Sequence, residues 1–211
     1  MIPPHANQPT ATLGPRPEDS KGAMIMIHGR NATPSSILEL VSLIGARDIH
    51  YVAPAAANNT WYPFSFLAEI EKNEPGISSG YSVIDGLVSD LMGSGLPRER
   101  IFLLGFSQGG CLASTWAARH AARYGGVFAL SGGLIGPPGT TWDFPGSFDA
   151  TPVFLGCSDV DGHIPKERVQ ESADIFRQMK ASVTMKLYSG MGHTVNNDEV
   201  VFIRQTLATI G

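Results

Sequence analysis

The stretch Arg100-Ile-Phe-Leu-Leu-Gly-Phe-Ser107-Gln-Gly-Gly110, followed by Cys111-Leu-Ala-Ser-Thr-Trp-Ala117, decides how this chain folds. An apolar, β-rich run leads into Gly-x-Ser-x-Gly, and a helix-forming segment follows it directly. This order is typical of a nucleophile elbow, a sharp strand-to-helix turn that exposes a serine. Gly105 and Gly109 flank Ser107 because such a turn crowds the backbone. The helix that follows would aim its free N–H groups at an oxyanion formed beside the serine.

Short apolar runs alternate with segments of helical periodicity along the rest of the chain. The runs predict strands over residues 23–27, 50–53, 101–104, 126–130, 152–155 and 183–187. Their near-continuous hydrophobicity is typical of parallel strands buried on both faces. Apolar stripes predict further helices, which begin near Thr33, Ile77, Pro165 and Asn196. We therefore expect one α/β domain, with a mostly parallel central sheet flanked by helices.

The length and net charge of the chain limit its domain organisation and the classes of partner that it can bind. The chain has 211 residues, a 43% hydrophobic fraction and a net charge of −4. This negative balance argues against a nucleic-acid partner, which would call for clustered Lys and Arg. Residues 1–20 are rich in proline and polar residues and predict an arm or an edge strand, with the folded domain over residues 21–211.

The location predicted from the sequence is cytoplasmic. No apolar run reaches the roughly 18 residues that a membrane-spanning helix requires. The first residues lack the basic region and apolar core of a secretion signal. Cys111 and Cys157 do not make a disulfide framework, and we expect both to be free, buried thiols.

Two later loops supply the partners that an elbow serine needs. A serine hydroxyl requires an adjacent base, which a third group orients. Residues 152–165 predict a strand, a loop with Asp159 and Asp161, and a helix start. Residues 183–193 predict a strand and a glycine-rich loop that ends in His193. Because ligands collect at the carboxyl ends of parallel strands, both loops should converge on Ser107, with either aspartate as a candidate acid.

The other histidines are weaker candidates for the base. His163 is closer to the aspartates in sequence but lies in the wrong loop. We expect His5, His50 and His120 at the surface, and His28 as a residue that holds a loop. No histidine or cysteine spacing predicts a metal site, and no glycine fingerprint predicts a nucleotide, so no cofactor is expected.

These motifs together resemble one family. Gly-Phe-Ser107-Gln-Gly-Gly, Asp161-x-x-Ile-Pro, Gly190-x-Gly-His193 and the early His28-Gly29 are similar to the carboxylesterase/acyl-protein thioesterase family of small α/β-hydrolases. The likeness also includes Gly95-Leu-Pro-Arg-Glu-Arg-Ile-Phe and Ala129-Leu-Ser-Gly132.

The resemblance implies an α/β-hydrolase fold and specific roles. The residues it implies are Ser107 as nucleophile, Asp161 as acid, His193 as general base, and the backbone N–H groups of Arg30 and Gln108 as the oxyanion hole. It also implies a monomer or a weak homodimer that acts on a small-molecule ester. Where the family commonly has an apolar residue, Gly and Asp after His-Gly, this chain has Arg30-Asn31-Ala32. Arg30 therefore makes the mouth of the site more polar and allows a carboxylate-bearing substrate.

Aromatic and aliphatic residues indicate an apolar pocket. Trp61 lies in an aromatic segment, residues 58–66, where the resembling family places a pocket tryptophan. Leu134 and Ile135 could form a second wall, together with Trp142 and Phe144. This composition favours an apolar acyl or aryl group over a sugar or a phosphate ester. We therefore predict a carboxylesterase for short- to medium-chain acyl or aryl esters. The alternatives are a thioesterase or lysophospholipase for long acyl chains, and a catalytically dead binding module.

Overall fold

One seven-stranded sheet organises the computed structural model, which describes residues 2–210. The strands are β1 (Thr10–Leu13), β2 (Gly22–Ile27), β3 (Ile49–Pro54), β4 (Ile101–Phe106), β5 (Gly126–Leu130), β6 (Pro152–Ser158) and β7 (Ser182–Tyr188). Their order is β1-β3-β2-β4-β5-β6-β7. β1 runs antiparallel to β3, and the other neighbouring pairs are parallel. The predicted strands and the mostly parallel sheet are confirmed.

Helices cover both faces of this sheet. They are α1 (Pro34–Leu38), α2 (Leu40–Ile44), α3 (Gly76–Gly93), α4 (Gln108–Arg119), α5 (Lys166–Gln178) and α6 (Asn197–Leu207). Apolar residues of α3, α4 and α5 pack into one core with Ile101 and Leu103 of β4. The alternate residues Phe102 and Leu104 pack with α1, α2 and α6 on the opposite face. This division follows from the period-2 alternation of side chains along a strand. No helix within residues 2–210 is long and apolar enough to cross a membrane.

The segment after Thr33 differs in detail from the prediction. Thr33 caps the first turn by accepting the Ser36 N–H at 3.3 Å, as its position before Pro34 indicates. The predicted single helix is wrong, because the chain forms α1 and α2 on either side of Glu39. The Ser42 N–H bonds to the Glu39 carbonyl, a tighter turn than the α-helical one, and Gly45 ends α2 with a φ of 73°.

The N-terminal segment is attached to the core more firmly than its composition indicates. β1 extends the sheet at its β3 edge. His5, which we expected at the surface, is 2% exposed. Its Nε2 donates to the Trp61 carbonyl at 2.8 Å, and its Nδ1 accepts the Ala57 N–H at 3.0 Å. The boundary at residue 20 stays a prediction, and Met1 and Gly211, the outer ends of the predicted arm and domain, lie outside the described residues.

Candidate active site

Ser107 occupies a strained turn between β4 and α4. Its φ is 55° and its ψ is −120°, a combination that non-glycine residues rarely adopt. Its N–H donates to the Leu130 carbonyl at 2.9 Å, and its carbonyl accepts the Cys111 N–H at 3.0 Å. The surrounding β5 strand and α4 helix thus hold a conformation that would be unfavourable in isolation. As a result, the hydroxyl projects from the turn into a cavity.

The two glycines of the elbow are required by close backbone contacts. A Cβ atom on Gly105 would overlap the Gly109 carbonyl, and one on Gly109 would overlap the carbonyls of Ile27 and His28. Neither glycine has a positive φ, so space and not conformational freedom determines the residue type. The elbow therefore packs directly against the end of β2, where the loop with His28 and Gly29 begins.

His193 and Asp161 meet Ser107 at the carboxyl edge of the sheet. The Ser107 Oγ lies 2.8 Å from His193 Nε2, and His193 Nδ1 lies 2.7 Å from Asp161 Oδ2. The His193 side chain is 23% exposed, while that of Asp161 is 0% exposed. The predicted serine, histidine and aspartate thus form one continuous hydrogen-bond chain, although they follow three different strands.

The Asp161 carboxylate is stabilised in its charged form. Burial raises its pKa, but hydrogen bonds from His193 and from the N–H groups of His163 and Ile164 outweigh burial, so that the pKa lies below its ordinary value. Asp161 is therefore ionised at neutral pH, and Nδ1 of His193 carries the proton that it donates. Nε2 then presents its lone pair to the Ser107 hydroxyl.

Asp159 and His163, which the sequence offered as alternative acid and base, make other contacts. Asp159 Oδ1 accepts the Gly190 N–H at 2.8 Å, which ties the aspartate loop to the loop of His193. The His163 ring is exposed and packs edge-on against His193, with the ring centroids 4.8 Å apart. Asp161, and not Asp159, contacts His193, and His193, and not His163, contacts Ser107. The Asp159–Gly190 bond has no signature in the sequence.

The loop after β2 brings free backbone donors beside the elbow. His28 is buried, with Nδ1 donating to the Gly29 carbonyl at 2.8 Å and Nε2 accepting the Ala56 N–H at 3.1 Å. Asn31 has a φ of 59°, and its N–H donates to the Asn59 carbonyl at 2.8 Å. Within residues 2–210, the N–H groups of Arg30 and Gln108 donate to no side chain and to no carbonyl outside the helices and strands, and an N–H in the first turn of a helix has no partner within that helix. They are thus available to a bound group.

The side chain of Gln108 has a positioning role that its sequence motif does not reveal. Its Oε1 accepts the Trp61 N–H at 2.9 Å, and its Nε2 donates to the Tyr62 carbonyl at 2.8 Å. The Tyr62 hydroxyl in turn donates to the Gln108 carbonyl at 3.3 Å. The residue after the serine therefore fixes the aromatic segment over the elbow.

A cavity of about 480 Å³ opens at Ser107 and His193. Its other lining residues are Arg30, Asn31, Tyr62, Pro63, Phe64, Ser65, Phe66, Gln108, Cys111, His163 and Ile164. None of these lining residues is acidic. The volume falls within the range of roughly 300–1,000 Å³ typical of small-molecule sites. The aromatic wall is formed by Tyr62, Phe64 and Phe66, which belong to the predicted aromatic segment.

The predicted pocket residues Trp61, Leu134 and Ile135 do not line this cavity. Trp61 is 0% exposed, and its Nε1 donates to the His28 carbonyl at 3.0 Å because the indole packs inward between His5 and His28. Leu134 and Ile135 are 0% and 3% exposed and belong to the core. We correct their placement accordingly: Trp61 supports the loop after β2, while its neighbours face the cavity.

The connection after β5 is fixed by a buried arginine. Arg168 is 4% exposed, and its Nη1 donates to the carbonyls of Leu134 and Gly136 at 2.8 and 2.7 Å. The guanidinium also stacks on Trp142 at 4.9 Å. These contacts hold the backbone of Leu134 inside the protein.

Comparisons with known proteins show to which family the chain is similar. Residues 16–210 match the family model described as Phospholipase/Carboxylesterase. The chain is 32% identical over 139 residues to "Acyl-protein thioesterase 1" of Gibberella zeae, covering 63% of this chain and 59% of that protein. It is 28% identical over 171 residues to "Acyl-protein thioesterase 1" of Eremothecium gossypii, covering 74% and 71%. The chain thus spans less than two thirds of the first of these relatives.

Two solved structures match a larger share of the chain. The crystal structure of a phospholipase/carboxylesterase from Dyadobacter fermentans superposes with a TM-score of 0.92 at 36% identity, covering 96% of this chain and 97% of that chain. Esterase PE8 superposes with a TM-score of 0.78 at 21% identity, covering 96% and 99%, which supports the fold.

Proposed function

Because the chain belongs to the phospholipase/carboxylesterase family of α/β-hydrolases, we propose that it is a serine carboxylesterase that cleaves short- to medium-chain acyl or aryl esters. The hydrogen-bond chain from Ser107 through His193 to Asp161, at 2.8 and 2.7 Å, is the observation that carries the proposal. A hydroxyl at this distance from an imidazole lone pair can lose its proton as it attacks.

Acylation is the first half of the proposed reaction. The Ser107 Oγ attacks the ester carbonyl carbon while its proton moves to His193 Nε2. The tetrahedral oxyanion accepts hydrogen bonds from the N–H groups of Arg30 and Gln108, each contributing about 2.7–4 kcal/mol in the transition state. Collapse breaks the bond to the alcohol oxygen, which takes the proton from His193. The acyl group remains as an ester on Ser107.

Deacylation repeats these steps with water. His193 Nε2 removes a proton from water as the water oxygen attacks the acyl carbon. Collapse returns this proton to Ser107 and releases the carboxylic acid. In both halves, Asp161 accepts the Nδ1 proton of His193 in a hydrogen bond and stabilises the imidazolium that forms.

A thioesterase activity is the second candidate, favoured by the names of the two fungal relatives. The reaction steps would be the same, with a thiolate as leaving group. We take the cavity of about 480 Å³, which Tyr62, Phe64 and Phe66 line together with Ser107, as support for the shorter acyl groups. We also propose a cytoplasmic location, because Cys111 and Cys157 are free, buried thiols, and a monomer or weak homodimer.

A substrate series with active-site labelling tests the proposal. We expect a fluorophosphonate probe to label the wild type but not Ser107→Ala, and p-nitrophenyl esters with short acyl chains to be hydrolysed faster than those with long chains. A control with Ser65→Ala, which removes another cavity hydroxyl, should retain labelling. A preference for long chains with turnover of acyl thioesters would favour the second candidate. An unlabelled wild type would indicate a binding module and refute both.

A further inference from the structure

The Arg30 side chain is fixed at the mouth of the cavity by backbone carbonyls. Its Nη1 donates to the Pro63 carbonyl at 2.8 Å, and its Nη2 donates to the Phe64 carbonyl at 2.6 Å. The guanidinium carbon also lies 5.9 Å from the centroid of the Tyr62 ring. A guanidinium carries more N–H donors than these contacts use. Arg30 is therefore held in place and retains donors for another group.

The charge of Arg30 is not neutralised by a carboxylate within the described part of the chain. None of the ion pairs found among residues 2–210 includes Arg30. Of the cavity-lining residues described above, none is acidic. The Asp161 side chain is 0% exposed and already accepts hydrogen bonds from His193, His163 and Ile164. The mouth of the cavity is thus cationic in a protein of net charge −4.

We propose that Arg30 is a specificity-determining residue that selects esters carrying a carboxylate close to the ester bond. This inference rests on the proposed esterase function and names its substrate class. A carboxylate accepts charge-assisted hydrogen bonds from the planar guanidinium, which lysine or a neutral side chain cannot match in geometry. The N–H of the same residue is the proposed oxyanion donor, so the guanidinium lies within one side-chain length of the reacting carbonyl. Substrates with a short spacer between carboxylate and ester carbonyl fit this distance.

A purely mechanical role for Arg30 makes a different prediction. If the guanidinium only held the Tyr62–Phe66 segment over the elbow, its loss would lower the kcat/KM for anionic and for neutral esters in the same proportion. The ratio of kcat/KM between an anionic ester and its neutral analogue therefore separates the two roles, whatever happens to the absolute rates.

Matched ester pairs test the proposal on the full-length chain. The acyl-side pair is mono-p-nitrophenyl glutarate and its methyl ester, and the alcohol-side pair is 4-acetoxybenzoate and its methyl ester. We expect the wild type to prefer the anionic member of at least one pair. Arg30→Met should lower that kcat/KM ratio tenfold or more, which corresponds to about 1.4 kcal/mol. Arg30→Lys, which keeps the charge, should retain part of the preference.

The matched control is Arg98→Met, which removes an exposed arginine that lies over Tyr124, away from this cavity. Its ratio should equal that of the wild type. Raising the salt concentration should also lower the wild-type ratio, because ions screen an exposed charge. An equal ratio in wild type and Arg30→Met overturns the inference while leaving the esterase proposal intact. A wild type that hydrolyses none of the four esters and resists fluorophosphonate labelling overturns both.

Discussion

The thiol of Cys157 lies 3.6 Å from the Oδ2 oxygen of Asp161, the same oxygen that faces His193 Nδ1 at 2.7 Å. Cys157 is fully buried near the end of β6, and burial raises the pKa of its thiol to about 12. The thiol therefore keeps its proton at neutral pH and donates a weak hydrogen bond. The thiol thus contacts the Oδ2 oxygen of the carboxylate, while the N–H groups of His163 and Ile164 donate to its Oδ1 oxygen.

Replacing Cys157 tests whether this support matters for the reaction. We expect Cys157→Ala to lower kcat up to about tenfold, because a hydrogen bond to a charged group contributes about 1.5 kcal/mol. Cys157→Ser, whose hydroxyl can still donate to Asp161, should recover most of this loss. Steady-state ester hydrolysis and thermal unfolding would be measured together. If the alanine variant lost stability but kept the wild-type kcat, Cys157 would contribute packing alone.

The lack of space around Gly109 predicts that one added methyl group destabilises the protein. In Gly109→Ala, the Cβ would overlap the carbonyls of Ile27 and His28, so that the elbow or β2 must shift. We expect a loss of about 1–3 kcal/mol in the free energy of unfolding and strongly reduced ester hydrolysis. Urea unfolding and esterase assays check both effects.

Gly93→Ala is the matched control for that variant. Gly93 ends α3, has no atom within 4 Å of a built Cβ, and lacks a positive φ. Alanine should there leave activity unchanged and stabilise the protein by up to about 1 kcal/mol. Equal destabilisation in both variants would contradict the steric argument.

Asp161 and Asp159 should differ strongly in their effect on turnover. In Asp161→Asn, the amide cannot hold His193 with a proton on Nδ1, and kcat should fall by about four orders of magnitude. In Asp159→Asn, the side-chain oxygen can still accept the Gly190 N–H, so we expect less than about a tenfold loss. Pre-steady-state and steady-state rates with a p-nitrophenyl ester measure both. Similar losses in the two variants would count against Asp161 as the acid.

The buried Glu199 predicts a pH-dependent stability. Its Oε2 accepts the Asn196 N–H at 2.9 Å, but its Oε1 lies against Gly156 with no hydrogen-bond partner among residues 2–210. Burial raises its pKa from 4.5 to about 7, more than the Asn196 N–H lowers it. Between these two pH values, the folded protein binds more protons at this site than the unfolded chain. The contribution of Glu199 to stability is therefore full below pH 4.5 and is lost as the pH rises towards 7.

Glu199→Gln should remove this dependence. The amide keeps an acceptor for Asn196 and carries no charge, so we expect it to stabilise the protein above pH 7 by up to about 3 kcal/mol. Denaturant unfolding at pH 5 and pH 8 gives the difference from wild type, which cancels the opposite contributions of His5 and His28, whose pKa values burial lowers. Glu167→Gln, an exposed first-turn residue of α5, is the control. A constant difference between Glu199→Gln and wild type at both pH values would refute the assignment.

Local patterns predicted the elbow well because its physics is local. A β-rich run, two small residues and a helix former around Ser107 are sufficient to indicate the turn. The residue assignments in the loops were less complete, since both Asp159 and Asp161 satisfy the pattern of a strand followed by an acid. The structure distinguishes the two aspartates, because only the Asp161 carboxylate contacts His193, which lies in a loop about 30 residues later along the chain.

Trp61 and His5 show where pattern reasoning fails. An aromatic residue in a loop near a cleft has the same sequence signature whether it faces the cleft or the core. Trp61 turns inward because His5 approaches from the N-terminal segment and Gln108 binds its N–H, contacts 56 and 47 residues apart in sequence. No periodicity encodes such contacts.

The sequence by itself determined the parallel sheet, the elbow at Ser107 and the set of residues that can supply an acid and a base, because strand, turn and helix signals are local. The tertiary structure decided which aspartate meets His193, which aromatic rings line the cavity, and that the Arg30 guanidinium is fixed by two carbonyls without a carboxylate beside it. Those outcomes depend on how loops from distant parts of the chain pack together at one edge of the sheet.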